Sequence, residues 1–305
     1  MTSPNGRGQA PSRRRIVIRR VAAAVFLLAL LGALGWAAVA VFGSDSQSSA
    51  PETTVATTTA PRRRPKPLRI VFPEGFTRKD MAARITAVNE IAKRRRKVTP
   101  RLSAKQYLAA TTRTTLPRRL RAPKGTHSFE GFLFPATYEF TPKTKSKQLV
   151  AKQVEAFQRN WKTLDLRYAR RKNLTPYDVL VIASMIEKEV QVPRERPLVA
   201  AVIYNRLRVG LPLGIDATIR YGLDIPPTEA IRQSQLDSNS PYNSRKVPGL
   251  PPTPIANPGI ASMRAAASPA RKNYLYFIRR PDCRSHFFTA SAREFDNYTR
   301  AGLQC

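Results

Sequence analysis

The apolar positions of this chain fall into blocks of different period, and each block predicts a different element. From Val21 to Gly43 runs an uncharged stretch, VAAAVFLLALLGALGWAAVAVFG. A membrane-spanning helix needs about 20 apolar residues, so this stretch predicts a transmembrane anchor rather than a shorter, cleaved signal. Residues 44–67 are rich in Ser, Thr, Pro and Ala and read as a disordered stalk. LRIVF, from Leu68, reads as a short strand and PEG as a turn. Thr77 then caps a helix through Met81, Ile85 and Val88. The like-charged run AKRRRKVTPR interrupts that pattern. HSFEGFLFPATYEF is dense in aromatics broken by Gly131 and Pro135, which predicts short strands and a tight turn contributing to the core.

Residues 146–172 read as one long amphipathic helix, apolar at Leu149, Val150, Val154 and Phe157. In LTPYDVL, Thr175 supplies an N-cap and Pro176 a first helical position. That predicts a helix from Tyr177 to Val190, and RPLVAAVIYNRL predicts another that stops at Gly210. Between Leu211 and Ser262 the chain is rich in Pro, Gly, Asn and Ser, yet apolar residues are spaced through it, which predicts functional loops rather than a linker. NYLYFI and SHFFTA predict a closing strand pair.

Charge narrows the partners. Lys and Arg number 53 against 20 Asp and Glu, a net charge of +33, which points to a polyanionic surrounding. Arg7, Arg13, Arg14, Arg15, Arg19 and Arg20 all precede the apolar stretch. By the positive-inside rule, residues 1–20 are then a cytoplasmic basic tail and everything after Gly43 lies outside a plasma membrane. That topology excludes nucleic acid and leaves cell-wall polymer and lipid head groups as the polyanions. His127 and His286 stand far apart with no Cys or His at ligand spacing, so no metal site is expected. Cys283 and Cys305 would share an oxidising compartment, and their pairing stays open.

The chemistry concentrates in IASMIEKEV. On a helix, Glu187 shares a stripe with Leu180, Ala183 and Ser184, and Glu189 shares one with Ile182, Met185 and Ile186. Burial among apolar side chains raises a carboxyl pKa, as a general acid near neutral pH requires. Periodicity does not choose between the two. On pattern alone, pairing of both with Arg194, Arg196 or Lys188 is the stronger reading. Glu130, set among aromatics, is a further carboxylate of interest.

Several segments, taken together, resemble the endolytic murein transglycosylases of the YceG-like family. They are LVIASMIEKEV, ERPLVAAVIYNRLRVGLPLGIDATIRYGL, SPYNSRKVPGLPPTPIANPGIASMRAAASPA and NYLYFI with SHFFTA, preceded by EGFLFPATYEF. The resemblance runs from about Leu68 to His286. It implies an α+β fold in which the N-terminal transmembrane helix (21–43) and stalk (44–67) read from hydropathy and composition are followed by a small LysM-like α/β module (68–128) and a larger mixed helical and strand catalytic domain (129–305). It implies that Glu187, first glutamate of the family's ASxxEKE motif, is the catalytic acid/base for cleavage of the MurNAc–GlcNAc bond in nascent peptidoglycan strands. The muramic 6-hydroxyl then attacks the anomeric carbon, giving a 1,6-anhydro end and terminating elongation. One acid/base residue suffices because the substrate supplies the nucleophile, and no cofactor or metal is needed. Tyr204, Asn205, Arg206, Asp216, Thr218, Tyr242, Asn243 and Asn257 fall on the matching motifs as substrate-binding positions, with Glu189 and Glu130 as supporting residues. Their alternative is loop architecture. Gly214 and Ile215 depart from the polar pair common in the family at that point. The implied partners are peptidoglycan glycan strands, the plasma membrane and, as candidates, peptidoglycan synthases. The alternative is a non-enzymatic peptidoglycan-binding scaffold of the same fold.

Overall fold

The computed structural model describes residues 67–112, 120, 122–123 and 126–304. The chain divides into two units, 1–63 and 64–305, and all that follows concerns the second. Its fold is α+β, with two small antiparallel sheets among helices. Strand β1 (Leu68–Val71) leads through a turn to α1 (Arg78–Arg96) and α2 (Ala104–Ala110). Strand β2 (Thr137–Phe140) follows, then α3 (Ser146–Trp161), α4 (Arg167–Arg171) and α5 (Pro176–Glu189). A 3-10 turn at Pro193–Glu195 opens α6 (Arg196–Val209). The remaining elements are α7 (Asp216–Gly222), α8 (Gln233–Leu236), α9 (Ile260–Ala267), β3 (Tyr276–Arg279), β4 (His286–Thr289) and α10 (Ala292–Arg300).

The expected single-pass plasma-membrane localisation is corrected. Among the described residues no helix is long and apolar enough to cross a membrane. The apolar run 21–43, the basic tail and the stalk lie outside the described residues, as does Cys305. Cys283 is disulfide-bonded.

Helix α5 organises the core. Tyr177 and every residue from Val179 to Ile186 are buried, so the helix is covered on all sides, as an all-round apolar helix must be. It packs most extensively on α9, whose sequence IASMRAAA keeps its side chains small, and also on α6 and α7. Burying Leu180, Ile182 and Ile186 contributes about 1.5–3 kcal/mol each. Its start is as the sequence predicts. The Thr175 Oγ1 accepts from the Asp178 amide while the Asp178 carboxylate accepts the Thr175 N–H at 2.7 Å, and Pro176 stands at the first position. Thr77 and Asp80 make the same reciprocal cap on α1.

The strand pair at the C-terminal end also forms, with Tyr276 opposite Thr289 and Arg279 opposite His286. The two strands β1 and β2 pair antiparallel from Leu68↔Phe140 to Val71↔Thr137. Two helix expectations change. The basic run does not interrupt α1 but forms its last turn, Lys93 to Arg96, where cations offset the negative end of the helix dipole. Lys97, in the left-handed region at φ 55°, ends it. Residues 146–172 form two helices rather than one. Leu164 and Leu166 turn back against the core, and Asp165 holds the Arg167 amide and guanidinium, which fixes the break.

Candidate active site

Glu187 occupies the last turn of α5, where the helix dipole opposes a negative charge. A second helix end answers it. The Glu187 Oε2 accepts the Gly259 N–H at 2.9 Å, and Gly259 is the N-cap of α9. Its Oε1 faces the Arg196 guanidinium at 3.9 Å, with the two side chains only 6 % and 13 % exposed. Arg196 opens α6 and is oriented by donating from Nε to the Ser262 hydroxyl at 3.1 Å. Among the described residues Oε1 accepts no hydrogen bond, so one oxygen of a nearly buried carboxylate remains open to a proton donor.

The loop carrying Gly259 is strapped at several points. One turn before Glu187 on the same stripe, the Ser184 hydroxyl accepts the Ile255 N–H at 3.0 Å. Asn257 pairs by backbone with the β1–α1 turn: Gly75 N–H to its carbonyl and its own N–H to the Phe76 carbonyl, both 3.0 Å. Its side chain donates to the Phe76 carbonyl at 2.9 Å and to the Glu130 Oε1 at 2.8 Å, and accepts the Leu133 N–H at 2.9 Å. All three of the bonds that an amide needs here go to protein. Glu130 is equally engaged, accepting from the Arg78 amide, the Asn257 amide and the Tyr221 hydroxyl. Burial pushes its carboxyl up to about 7 against the pull of those donors and of Arg78.

These straps bring the β1–α1 turn onto Glu187. Gly75 takes φ +77°, a left-handed conformation that favours glycine, and its carbonyl accepts the Lys188 ammonium at 3.4 Å. The neighbouring Glu74 carboxylate lies against Gly259, where any Cβ would collide with it. Burial raises the Glu74 pKa, the Glu187 charge raises it further, and Arg196 opposes both.

The other positions expected from the sequence form separate groups. Glu189 accepts the Ala217 amide at the start of α7 near Arg279, and burial raises its pKa, with Asp216 adding to the effect. Asp216 pairs with the Arg245 Nε at 2.7 Å, each 46 % exposed. Thr218 is buried, bonding the Ile215 carbonyl and the Ser244 hydroxyl. Asn243 is buried and donates to the carbonyls of Leu236 and Ser238. Tyr242 lies tilted against the Tyr221 ring and bonds the Thr253 hydroxyl at 2.8 Å. Tyr204 donates to the Ala266 carbonyl, and Asn205 to those of Lys272 and Tyr274. Arg206 spans the carbonyls of Leu275, Pro212 and Leu213 and lies over the Tyr276 ring. Of all these, only Asn257 and Glu130 are joined to the Glu187 neighbourhood, through the 255–259 loop. The sequence reading missed Glu74 and Gly259. Neither has a local signal, because each matters through contacts made across the fold.

The model of the YceG-like family matches residues 45–301 of this chain. Among curated proteins the chain is similar to the endolytic murein transglycosylase of Bacillus subtilis (strain 168), 35 % identical over 156 residues, which covers 50 % of this chain and 42 % of that protein. It is similar to the protein of the same description from Streptococcus pneumoniae (strain ATCC BAA-255 / R6), 35 % identical over 161 residues, covering 50 % and 28 %. The chain thus matches less than half the length of these curated relatives. Among solved structures it resembles a yceG-like protein of Listeria monocytogenes, with a TM-score of 0.61, 29 % identity and 76 % of each chain covered.

Proposed function

This chain belongs to the YceG-like family, and from that premise we propose that it is a peptidoglycan lytic transglycosylase that cuts within glycan strands, with Glu187 as acid and base. The observation that carries the reading is the Glu187 carboxylate itself: nearly buried, one oxygen fixed by the Gly259 amide, the other without a hydrogen bond among the described residues and facing Arg196 at 3.9 Å. A positioned carboxyl group of this kind supplies about 10²–10⁴-fold in general acid–base catalysis.

Protonated Glu187 donates to the glycosidic oxygen between MurNAc and GlcNAc, and that carbon–oxygen bond breaks as positive charge builds at the anomeric carbon. The muramic 6-hydroxyl oxygen bonds to that carbon, and its proton passes to the Glu187 carboxylate. The acid is regenerated, no water is consumed, and the new end is a 1,6-anhydro sugar. Glu130 and Asn257 act in this reading by holding the 255–259 loop under Glu187. Asp216 with Arg245, both half exposed, are the sequence-derived positions most available to a glycan. Residues 68–128 are read as a LysM-like module that holds a strand near the site.

The test is Glu187→Gln assayed on purified peptidoglycan, with product ends identified by mass spectrometry. We expect folded protein that releases no anhydro-ended fragments. Unchanged release would sink the acid/base role and leave a glycan-binding scaffold. Ends heavier by one water would replace transglycosylation with hydrolysis.

A further inference from the structure

One carboxylate beside Glu187 has no part in the proton transfer. Glu74 is an exposed residue on the β1–α1 turn, yet its carboxylate is pressed onto Gly259, the same residue whose amide holds Glu187. Among the described residues its carboxylate makes no hydrogen bond and no ion pair. A structural carboxylate in this protein looks different: Glu130 is buried and surrounded by donors. The turn that carries Glu74 is fixed by the two backbone bonds between Gly75, Phe76 and Asn257, so its position is built rather than incidental.

We propose that Glu74 is a second catalytic carboxylate of this site, facing the sugar beside Glu187 and stabilising the positive charge that develops at the anomeric carbon. The inference rests on the reading of Glu187 given above. No bond to Glu74 is made or broken. While Glu187 holds its proton, the two groups repel little. Once Glu187 has given the proton to the leaving oxygen, two negative carboxylates flank one positive carbon, and the attraction is greatest in the transition state. Their mutual repulsion then favours return of the 6-hydroxyl proton to Glu187. Without substrate, burial raises the Glu74 pKa and the Glu187 charge raises it further. The other charged groups facing the pair are Arg196 on α6, which opposes that shift, and Lys188 on α5, held at the Gly75 carbonyl.

The experiment compares wild type, Glu74→Gln, Glu74→Ala and Glu187→Gln on purified peptidoglycan strands, as kcat and KM, with thermal melting of each. Glu74→Gln keeps the shape and removes the charge. We expect kcat to fall about 10–100-fold with KM changed far less, consistent with loss of a transition-state charge contact. Melting should be unchanged. A Glu74→Gln enzyme within twofold of wild type overturns the inference. So does an equal loss in both Glu74 variants with lowered melting, which would mark a structural role. Glu187→Gln inactive beside a normal Glu74→Gln overturns this inference alone. Glu187→Gln at the wild-type rate overturns the underlying reading and this inference with it.

Discussion

Replacing Glu130 with Gln tests the electrostatics of the knot that holds the site. Glu130 is 3 % exposed and its folded-state pKa is about 7, against an ordinary 4.5. Between those values the folded protein keeps a proton that the unfolded chain has released. Unfolding therefore releases a proton in that window, and raising the pH favours the unfolded state. The cost of the buried charge is absent below about pH 4.5 and complete above about pH 7. The gap between about 7 and 4.5, at about 1.4 kcal/mol per pH unit, amounts to about 3.5 kcal/mol. Glutamine keeps the acceptor for the Asn257 and Arg78 amides, and its NH₂ can donate to the Tyr221 oxygen, whose hydroxyl then turns away. The Arg78 guanidinium stays anchored on Thr111 and Thr112. Urea denaturation of both proteins from about pH 5 to about pH 8 reads the difference. Glu74 and Glu189 also titrate upward, but they are present in both proteins and cancel. The stability of Glu130→Gln should gain on wild type by about 2.5 kcal/mol across that range, the part of the full cost that falls between those pH values. Parallel curves would refute the claim that Glu130 carries a buried, costly charge.

Asn257→Ala removes three side-chain bonds from a fully buried position and leaves the Leu133 amide unpaired, so we expect a loss of about 3–4 kcal/mol by urea denaturation. A loss below about 1 kcal/mol would show that the 255–259 loop is held by its backbone bonds alone. Gly259→Ala places a methyl where the Glu74 carboxylate lies, and the tip of a flexible side chain can swing away. Its melting temperature should stay close to wild type while its rate on peptidoglycan falls about as far as that of Glu74→Gln. A wild-type rate would show that the position of Glu74 does not matter.

Local devices were readable before the structure. The Thr175 and Thr77 caps depend on residues three apart, and the 276–289 strand pair on a short alternating pattern. The choice between Glu187 and Glu189 was not, because both sit beneath apolar neighbours on one helix. What separates them is tertiary: the Gly259 amide and Arg196 for one, the Ala217 amide and Arg279 for the other. The Asn and Tyr positions show the same limit. A sequence cannot tell an amide that bonds acetamido groups from one that bonds carbonyls of its own chain. In this fold Asn205, Asn243 and Asn257 all bond backbone. Glu74 was invisible for a further reason. It lies in an ordinary turn, and only the Gly75 and Phe76 pairing with Asn257 carries it to Gly259.

The pairing of Leu68 with Phe140 has a consequence for the chain while it is being made. Synthesis proceeds at about 5–20 residues per second, so β1 waits several seconds for β2 to emerge. The Glu74 turn waits longer still, until Gly259 is out and can seat both carboxylates. A nascent chain stopped short of that glycine carries Glu187 with no amide beneath it. Under the proposed chemistry such a chain lacks the amide that positions its acid, so the site is assembled only once nearly the whole chain has been made.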